Sequence, residues 1–395
     1  MPKALIIGSG VAGTATALLL ARQGWECEIF EARAEHASDG GLFLNVATNG
    51  LAVLEQLGLQ ERLREDAHRC PHMEMYSGRG TLLGVVPNGP AGDPDRGSAV
   101  VRRAWLNQVL REAVAEADIP LTLGARLQDV HEEPGTVTAL FADGRTAEAD
   151  ILIGADGVGS PTRRWIDGDA PEPEYSGLVS IGGMARVPGV APTPLTQRMV
   201  FGARSFFGYL VRDDGTVLWF ANVTEPERDR SSFRAIPLET WLQRLRDLHS
   251  DDPSPVPEIL DHVEGEIGAY PLYDLVHVPR WHRGRVVAVG DAVHATSPSA
   301  GQGASLALED AFVLARCLHD AGEHVAAFTQ YQVQRQPRAE EVVRYARAVN
   351  KQKRVTRSRL GLALRDAMLP MFLRKASSDT RNNHLYRGVV DEAAR

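Results

Sequence analysis

The stretch KALIIGSGVAGTATALLLARQGWECEIFE, residues 3–31, decides the fold. Ala4 to Ile7 is a short, continuous apolar run, as expected of a strand buried on both faces. Gly8-Ser9-Gly10-Val11-Ala12-Gly13 forms a turn, and Thr14 to Arg22 reads as a helix of small and apolar residues ending at Gly24. Glu26 to Phe30 is a second strand, closed by Glu31. A GxGxxG spacing alone is a weak signal, because glycines are common in turns. Between a strand and a helix, with an acid about 20 residues on, it becomes a complete dinucleotide fingerprint. Gly8 makes the tight turn, Gly10 lets a pyrophosphate approach across Val11 and Ala12, and Gly13 lets the helix pack close to the sheet. Glu31, with Ala32 and Arg33 behind it, would bond ribose hydroxyls.

Working outward, a second glycine-containing stretch is GRVVAVGDAVHATSPSAGQGASLALED, residues 284–310, which does not repeat the first. The apolar run Val286 to Val289 leads into Gly290-Asp291. A loop of small residues, Ser297 to Gly303, precedes a helical pattern beginning at Ala304-Ser305. Such a loop lets backbone N–H groups come close to a flat object, towards which the helix aims its positive end. Reduced flavin, negatively charged at its N1 and C2-carbonyl edge, suits that place, where donors and dipole are worth on the order of 1 kcal/mol or more. Between the two stretches, Asp150 to Gly157 is a buried strand ending in Asp156-Gly157, where an open α/β sheet exposes its ligand-binding edge.

The rest of the chain fills in around these turns. Ala47 to Leu57 reads as an amphipathic helix stopped by Gly58, and Gly78 to Gly97 as a loop excursion. Ala99 to Val101 reads as a short strand, and Trp105 to Ala117 as a helix entered through Arg102-Arg103. From Tyr175 onward extended segments follow without helices between them. Phe206 to Val223 is a hairpin turning at Asp214-Gly215, and its Tyr209, Trp219 and Phe220 are substrate-facing candidates. Ala304 to Leu318, segments within Val325 to Arg347, and Gly361 to Arg374 are helical. The expected architecture is α/β, with a Rossmann-like nucleotide-binding domain in three parts, residues 1–72, 99–174 and 270–345. To it are added an excursion at 73–98, an inserted, mostly antiparallel β-sheet substrate domain at 175–269, and C-terminal helices at 346–395.

Composition sets the outer bounds. At 395 residues, 44% hydrophobic and 24% charged, the chain is that of a globular protein of about two domains. A net charge of −8 argues against a general nucleic-acid binder. The basic run Arg344, Arg347, Lys351, Lys353, Arg354, Arg357 and Arg359 reads as a solvated helix face. Cys27, Cys70 and Cys317 are odd in number and far apart, which suits neither a disulfide framework nor a metal site and points to a reducing compartment. No apolar run reaches membrane-spanning length. The expectation is a cytoplasmic protein without membrane or nucleic-acid partners, either monomer or homodimer.

Three motifs in this order resemble the single-component flavin monooxygenases of the para-hydroxybenzoate hydroxylase class. They are GxGxxG with Glu31, then Asp156-Gly157 with Ser160 and Arg163, then Gly290-Asp291 with His294, Pro298 and Gly301-Gln302-Gly303. The likeness runs over nearly the whole chain and is to the short members, without a thioredoxin-like extension. It implies tightly bound FAD, with Gly8, Gly10 and Gly13 at the pyrophosphate and Glu31 at the adenosine ribose. Arg103, rather than Arg102, would contact the phosphate or ribityl chain, Leu127 the adenine through its backbone, and Gly41 the cofactor from its loop. Asp156 would serve both FAD and nicotinamide, and Asp291 a ribityl hydroxyl. Pro298, Gly301, Gln302, Gly303, Ala304 and Ser305 would line the isoalloxazine. NAD(P)H as a transient reductant and O2 would then put one oxygen atom into an aromatic or polyketide-like molecule through a flavin C4a-hydroperoxide. His294 is read as a hydrogen-bonded structural residue, and no side chain stands out as a catalytic base or metal ligand. Val293 departs from the alanine usual in the third motif. A halogenase-like or isoprenoid-reductase-like enzyme, or a non-catalytic flavoprotein, is the alternative on the same fold.

Overall fold

The computed structural model describes residues 1–35, 42–229, 232–233, 235–352, 359–378 and 380–390. Lys3–Ile7 is the central strand of a six-stranded sheet, with Glu26–Phe30 and Leu121–Thr122 on one side and Ile151–Gly154, Val286–Ala288 and His282–Arg283 on the other. All neighbours run parallel except the His282–Arg283 edge. Ala4, Leu5 and Ile6 are fully buried, as a continuous apolar run covered on both faces requires. The helix Val11–Ala21 starts three residues before the expected Thr14, because Gly10 is extended and hands over directly to helical geometry. It is apolar all round, packed between the sheet and the helices Gly303–Ala321 and Arg103–Glu116.

A seven-stranded sheet forms the second layer, in the order Val263–Asp274, Glu174–Arg186, Thr216–Thr224, Phe206–Val211, Thr196–Phe201, His72–Ser77 and Leu82–Pro87. Its pairs are antiparallel except Thr196–Phe201 with His72–Ser77. The mixed α/β fold with an inserted, mostly antiparallel sheet therefore stands as the sequence suggested.

Three local expectations fail. Leu82–Pro87, inside the supposed loop of residues 78–97, is a strand; its Gly84 sits where a Cβ would come within 3.1 Å of Leu373. The strand is short and interrupted by glycine, so its pattern is weak until a partner sheet is present. The sheet region is also not free of helices. Leu238–His249 turns Trp241, Leu242 and Leu245 onto Phe207, Tyr209 and Trp219, making a separate core. Finally, His324–Gln352 is one helix running through Pro337 rather than separate segments.

Arg344 pairs with Glu340 at 3.1 Å and Arg347 with Glu174, whereas Lys353, Arg354 and Arg357 lie outside the described residues. Among the described residues no helix is long and apolar enough to cross a membrane. The three cysteines are free and buried.

Candidate functional site

Three turns far apart in sequence meet at one sheet edge. Ile7 is level with Gly154, and Gly154 with Ala288. The carboxyl ends of three adjacent parallel strands therefore deliver Gly8-Ser9-Gly10, Ala155-Asp156-Gly157 and Gly290-Asp291 side by side. Backbone bonds lock the turns together: Gly8 N donates to Phe30 O at 2.8 Å, Ala155 N to Ile7 O at 2.8 Å and Val289 N to Gly154 O at 2.9 Å. This edge is where open α/β sheets take ligands.

A cavity of about 830 Å³ opens from this edge and runs to the second sheet. Gly10, Val11 and Ala12 line it, as do Arg103, Asp291, Pro298, Gly301, Gln302, Gly303 and Ala304. Two of the helices that begin at its wall are Val11–Ala21 and Gly303–Ala321, each without a capping side chain or an acid in its first turn. Their first N–H groups are left for a ligand. The glycines divide by role. A Cβ on Gly8 would come within 2.3 Å of Ala155 O, and one on Gly13 within 2.0 Å of Gly8 O, so these two are required by packing. Around Gly10 nothing lies within 4 Å of such a Cβ.

Several expected residues are not among those that line the cavity. Gly8, Gly13 and Gly290 lie behind the cavity wall; Gly290 has φ +64° and a Cβ there would meet Ala12 at 3.0 Å. Ser305 is fully buried, its Oγ accepting from Ala47 N at 3.0 Å, and it does not line the cavity. Leu127 is a core residue beside Phe141. Glu31 lies off the cavity, accepting from Ser9 N and Oγ, both at 3.0 Å, and from Arg33 N at 3.0 Å. Ala32 and Arg33 follow it, also off the cavity, and Gly41 is outside the described residues. Of the aromatic candidates, Tyr209 and Trp219 stand opposite one another and point into the core of the second sheet. Strand alternation sends Phe220 the other way, onto the cavity. Arg102 is engaged with Asp66 at 2.9 Å, while Arg103 begins its helix at the cavity wall.

The two motif acids differ in setting. Asp156 Oδ2 accepts from Thr162 N at 3.0 Å, while Oδ1 is buried without a protein partner. Burial raises its pKa, offset in part by hydrogen bonds from Ser160 and Thr162. Asp291 is surrounded by protein atoms yet keeps exposed surface, and it lines the cavity. Burial raises its pKa as well, and the charges of His294 and Arg103 oppose this.

Behind the motifs lies an ionic network that the motif reading missed. Asp310 Oδ2 accepts from Gly290 N at 2.8 Å and contacts His294 Nε2 at 2.5 Å; Oδ1 accepts from Arg335 Nε at 2.7 Å. Arg335 Nη1 is 3.0 Å from Glu309 Oε2, an ion pair without hydrogen-bond alignment, and Arg338 meets Glu309 at 3.0 Å. Asp310, Glu309 and Arg335 are all fully buried. His294 lies off the cavity with its ring 5.5 Å from that of Trp281, a structural placement. The flat loop is held separately, Ser297 N donating to Asp274 Oδ1 at 2.8 Å and Asn350 Nδ2 to Ser297 Oγ at 2.6 Å. The only sequence signal for the network was a pair of acids, Glu309-Asp310, in an otherwise apolar stretch.

This fold and strand-edge cavity define a dinucleotide-binding α/β protein with an added sheet domain. Residues 1–346 match the FAD binding domain family. Over 343 residues the chain is 30% identical to aurachin C monooxygenase/isomerase of Stigmatella aurantiaca, covering 86% of each chain. It is 32% identical over 353 residues to 3-amino-4-hydroxybenzoate 2-monooxygenase of Streptomyces cremeus, covering 87% of this chain and 85% of that one. The structure of Klebsiella pneumoniae HpxO with FAD and uric acid superposes with a TM-score of 0.82 at 24% identity, over 99% of this chain and 96% of the other. The chain belongs to the FAD binding domain family and is an FAD-dependent monooxygenase, an oxidoreductase of the group A flavoprotein hydroxylase class. These relatives do not support the halogenase-like, reductase-like or non-catalytic alternatives.

Proposed function

We propose that the enzyme uses NAD(P)H and O2 to place one oxygen atom on an aromatic small molecule, with FAD held along the strand-edge cavity. The observation that carries this reading is the meeting of three separate motif turns and two uncapped helix starts on one cavity. The residues fit FAD: the open space over Gly10 suits a pyrophosphate, and the Pro298–Ala300 turn with Gly301 and Gly303 suits a ring. Bound there, FAD would supply electron transfer from the nicotinamide and activation of O2.

The chain's own residues do the rest. The N–H groups at Val11 and Ala12 bind phosphate, Glu31 accepts from the ribose, and Asp291 accepts from the ribityl chain. Arg103 neutralises phosphate, and the N–H groups at Gly303 and Ala304 stabilise negative charge on the ring edge. The apolar side chains that line the cavity limit water around the ring, which limits loss of oxidising equivalents. The sheet of residues 175–269, joined by residues 72–87, serves as the substrate domain; the strand order supports that division. A cytoplasmic site of action suits the three free thiols.

Purified protein reconstituted with FAD is expected to be yellow, to oxidise NAD(P)H faster when substrate is present, and to release a product heavier by one oxygen atom. Protein that stays colourless after FAD addition would contradict the reading. Asp291→Ala is expected to weaken FAD about 10- to 100-fold, through loss of a charged acceptor. In wild type the affinity should fall as pH drops through the raised Asp291 pKa, since the protonated acid accepts less well. Titration of apoprotein with FAD across pH measures both effects.

A further inference from the structure

A relay of three amides runs along the cavity wall. The Cys70 carbonyl can only accept, so Asn88 must turn its Nδ2 to it, at 2.9 Å. Asn88 Oδ1 then accepts from Asn45 Nδ2 at 3.3 Å, and Asn45 Oδ1 from Gln197 Nε2 at 3.1 Å. Amide orientations, otherwise interchangeable, are set here from one end. The far end of the relay is Gln197 Oε1, an acceptor on a nearly buried side chain that lines the cavity.

The wall around Gln197 is soft and apolar. Gln197 stands beside Met73 and Met199 beside Met75 in parallel register. Gly208 makes room for Phe220, whose ring would lie 2.3 Å from a Cβ there. The Arg359–Ser378 helix closes the far side with Leu369, Phe372 and Leu373, and Phe372 keeps 55% of its surface exposed, so this end reaches solvent. Among the described residues lining the cavity only Arg103 and Asp291 are charged, and both stand at the dinucleotide end. A ring carboxylate among the methionines would be a desolvated anion without a counter-ion. Unbranched, polarisable methionines adapt to flexible apolar groups.

Resting on the monooxygenase reading of this cavity, we propose that the substrate is a neutral aromatic molecule that donates a ring O–H or N–H to Gln197 Oε1. It carries an apolar substituent that lies between the methionines and Phe372. Gln197 sets specificity because its Oε1, unlike the other acceptors of the relay, is given no donor by the relay itself.

The test uses FAD-loaded enzyme and reads binding by perturbation of the flavin spectrum, with no turnover needed. The probes are para-methylphenol, para-heptylphenol, para-heptylanisole and para-hydroxybenzoate. The heptylphenol should bind tightest, the anisole roughly tenfold weaker for want of the donor, and the benzoate roughly 100-fold weaker. Gln197→Leu should erase the preference for phenol over anisole while keeping the dependence on alkyl length. Phe372→Ala, at an exposed position, should do the reverse. Benzoate binding as tightly as heptylphenol, an unchanged phenol preference in Gln197→Leu, or yellow enzyme that binds no alkylphenol would each overturn the proposal and leave the monooxygenase reading standing. Enzyme that takes up no FAD overturns that reading and the proposal with it.

Discussion

Gly10→Val is expected to yield a folded protein that no longer retains FAD. At this position φ is −76° and ψ −173°, extended backbone that valine adopts without strain. Nothing lies within 4 Å of the added Cβ, so packing is undisturbed. The branched side chain instead fills the cradle over the first turn of the Val11–Ala21 helix. That denies the pyrophosphate its backbone donors, about 3–4 kcal/mol or roughly 100- to 1000-fold in affinity. Gly13→Val provides the contrast. Its Cβ would stand 2.0 Å from Gly8 O, in a helix packed on every side, so the expected outcome is loss of the folded protein. Flavin content after gel filtration, read beside circular dichroism, separates the two. A flavin-replete Gly10→Val protein would remove the pyrophosphate from this turn.

Asp310→Ala should carry the largest stability loss of any single side-chain truncation near the site. Removing it leaves Arg335, fully buried, short of an anion, and strands the Gly290 N–H. Breaking a buried pair by deleting one partner costs about 3–5 kcal/mol, expected for a chain of 395 residues as a Tm lower by roughly 4–6 °C. Because Asp310 also ties down the turn bearing Asp291, flavin should be lost at lower temperature than in wild type.

The pH dependence has a defined sign. Burial alone would raise the Asp310 pKa, but His294 and Arg335 outweigh it and hold the carboxyl well below its ordinary range. A depressed folded pKa gives stability that is fully present above the unfolded value, near 4, and is lost as pH falls towards the folded one. The gap between wild type and Asp310→Ala should therefore be constant at neutral pH and narrow below about pH 4. Thermal melts at neutral and acid pH measure it, and a gap that widens on acidification would count against the assignment.

The parts most legible in the sequence were those governed by local rules. Gly8, Gly10 and Gly13 stand between an apolar run and a helix, so position alone tells what each must do, and the same holds for Gly290 and Gly301. The Phe206–Val211 and Thr216–Thr224 hairpin was readable because Gly215 takes a left-handed turn that few residues tolerate. Leu82–Pro87 was not readable, since its identity as a strand depends on His72–Ser77 pairing with it. Tyr209, Trp219 and Phe220 show the limit at a single hairpin. Sequence marks all three as sheet residues, but only the side on which the Leu238–His249 helix packs tells which of them meets the cavity.

By itself the sequence determined the cofactor class, because binding a dinucleotide demands glycines, a helix start and an acid at short, fixed spacing. Only the tertiary structure decided what lines the rest of the cavity and what holds its turns in place. The relay from Cys70 through Asn88 and Asn45 to Gln197, and the support of Gly290 by Asp310 and Arg335, join residues far apart in the chain. No local spacing encodes those contacts; they arise when the two sheets and the later helices close on one another.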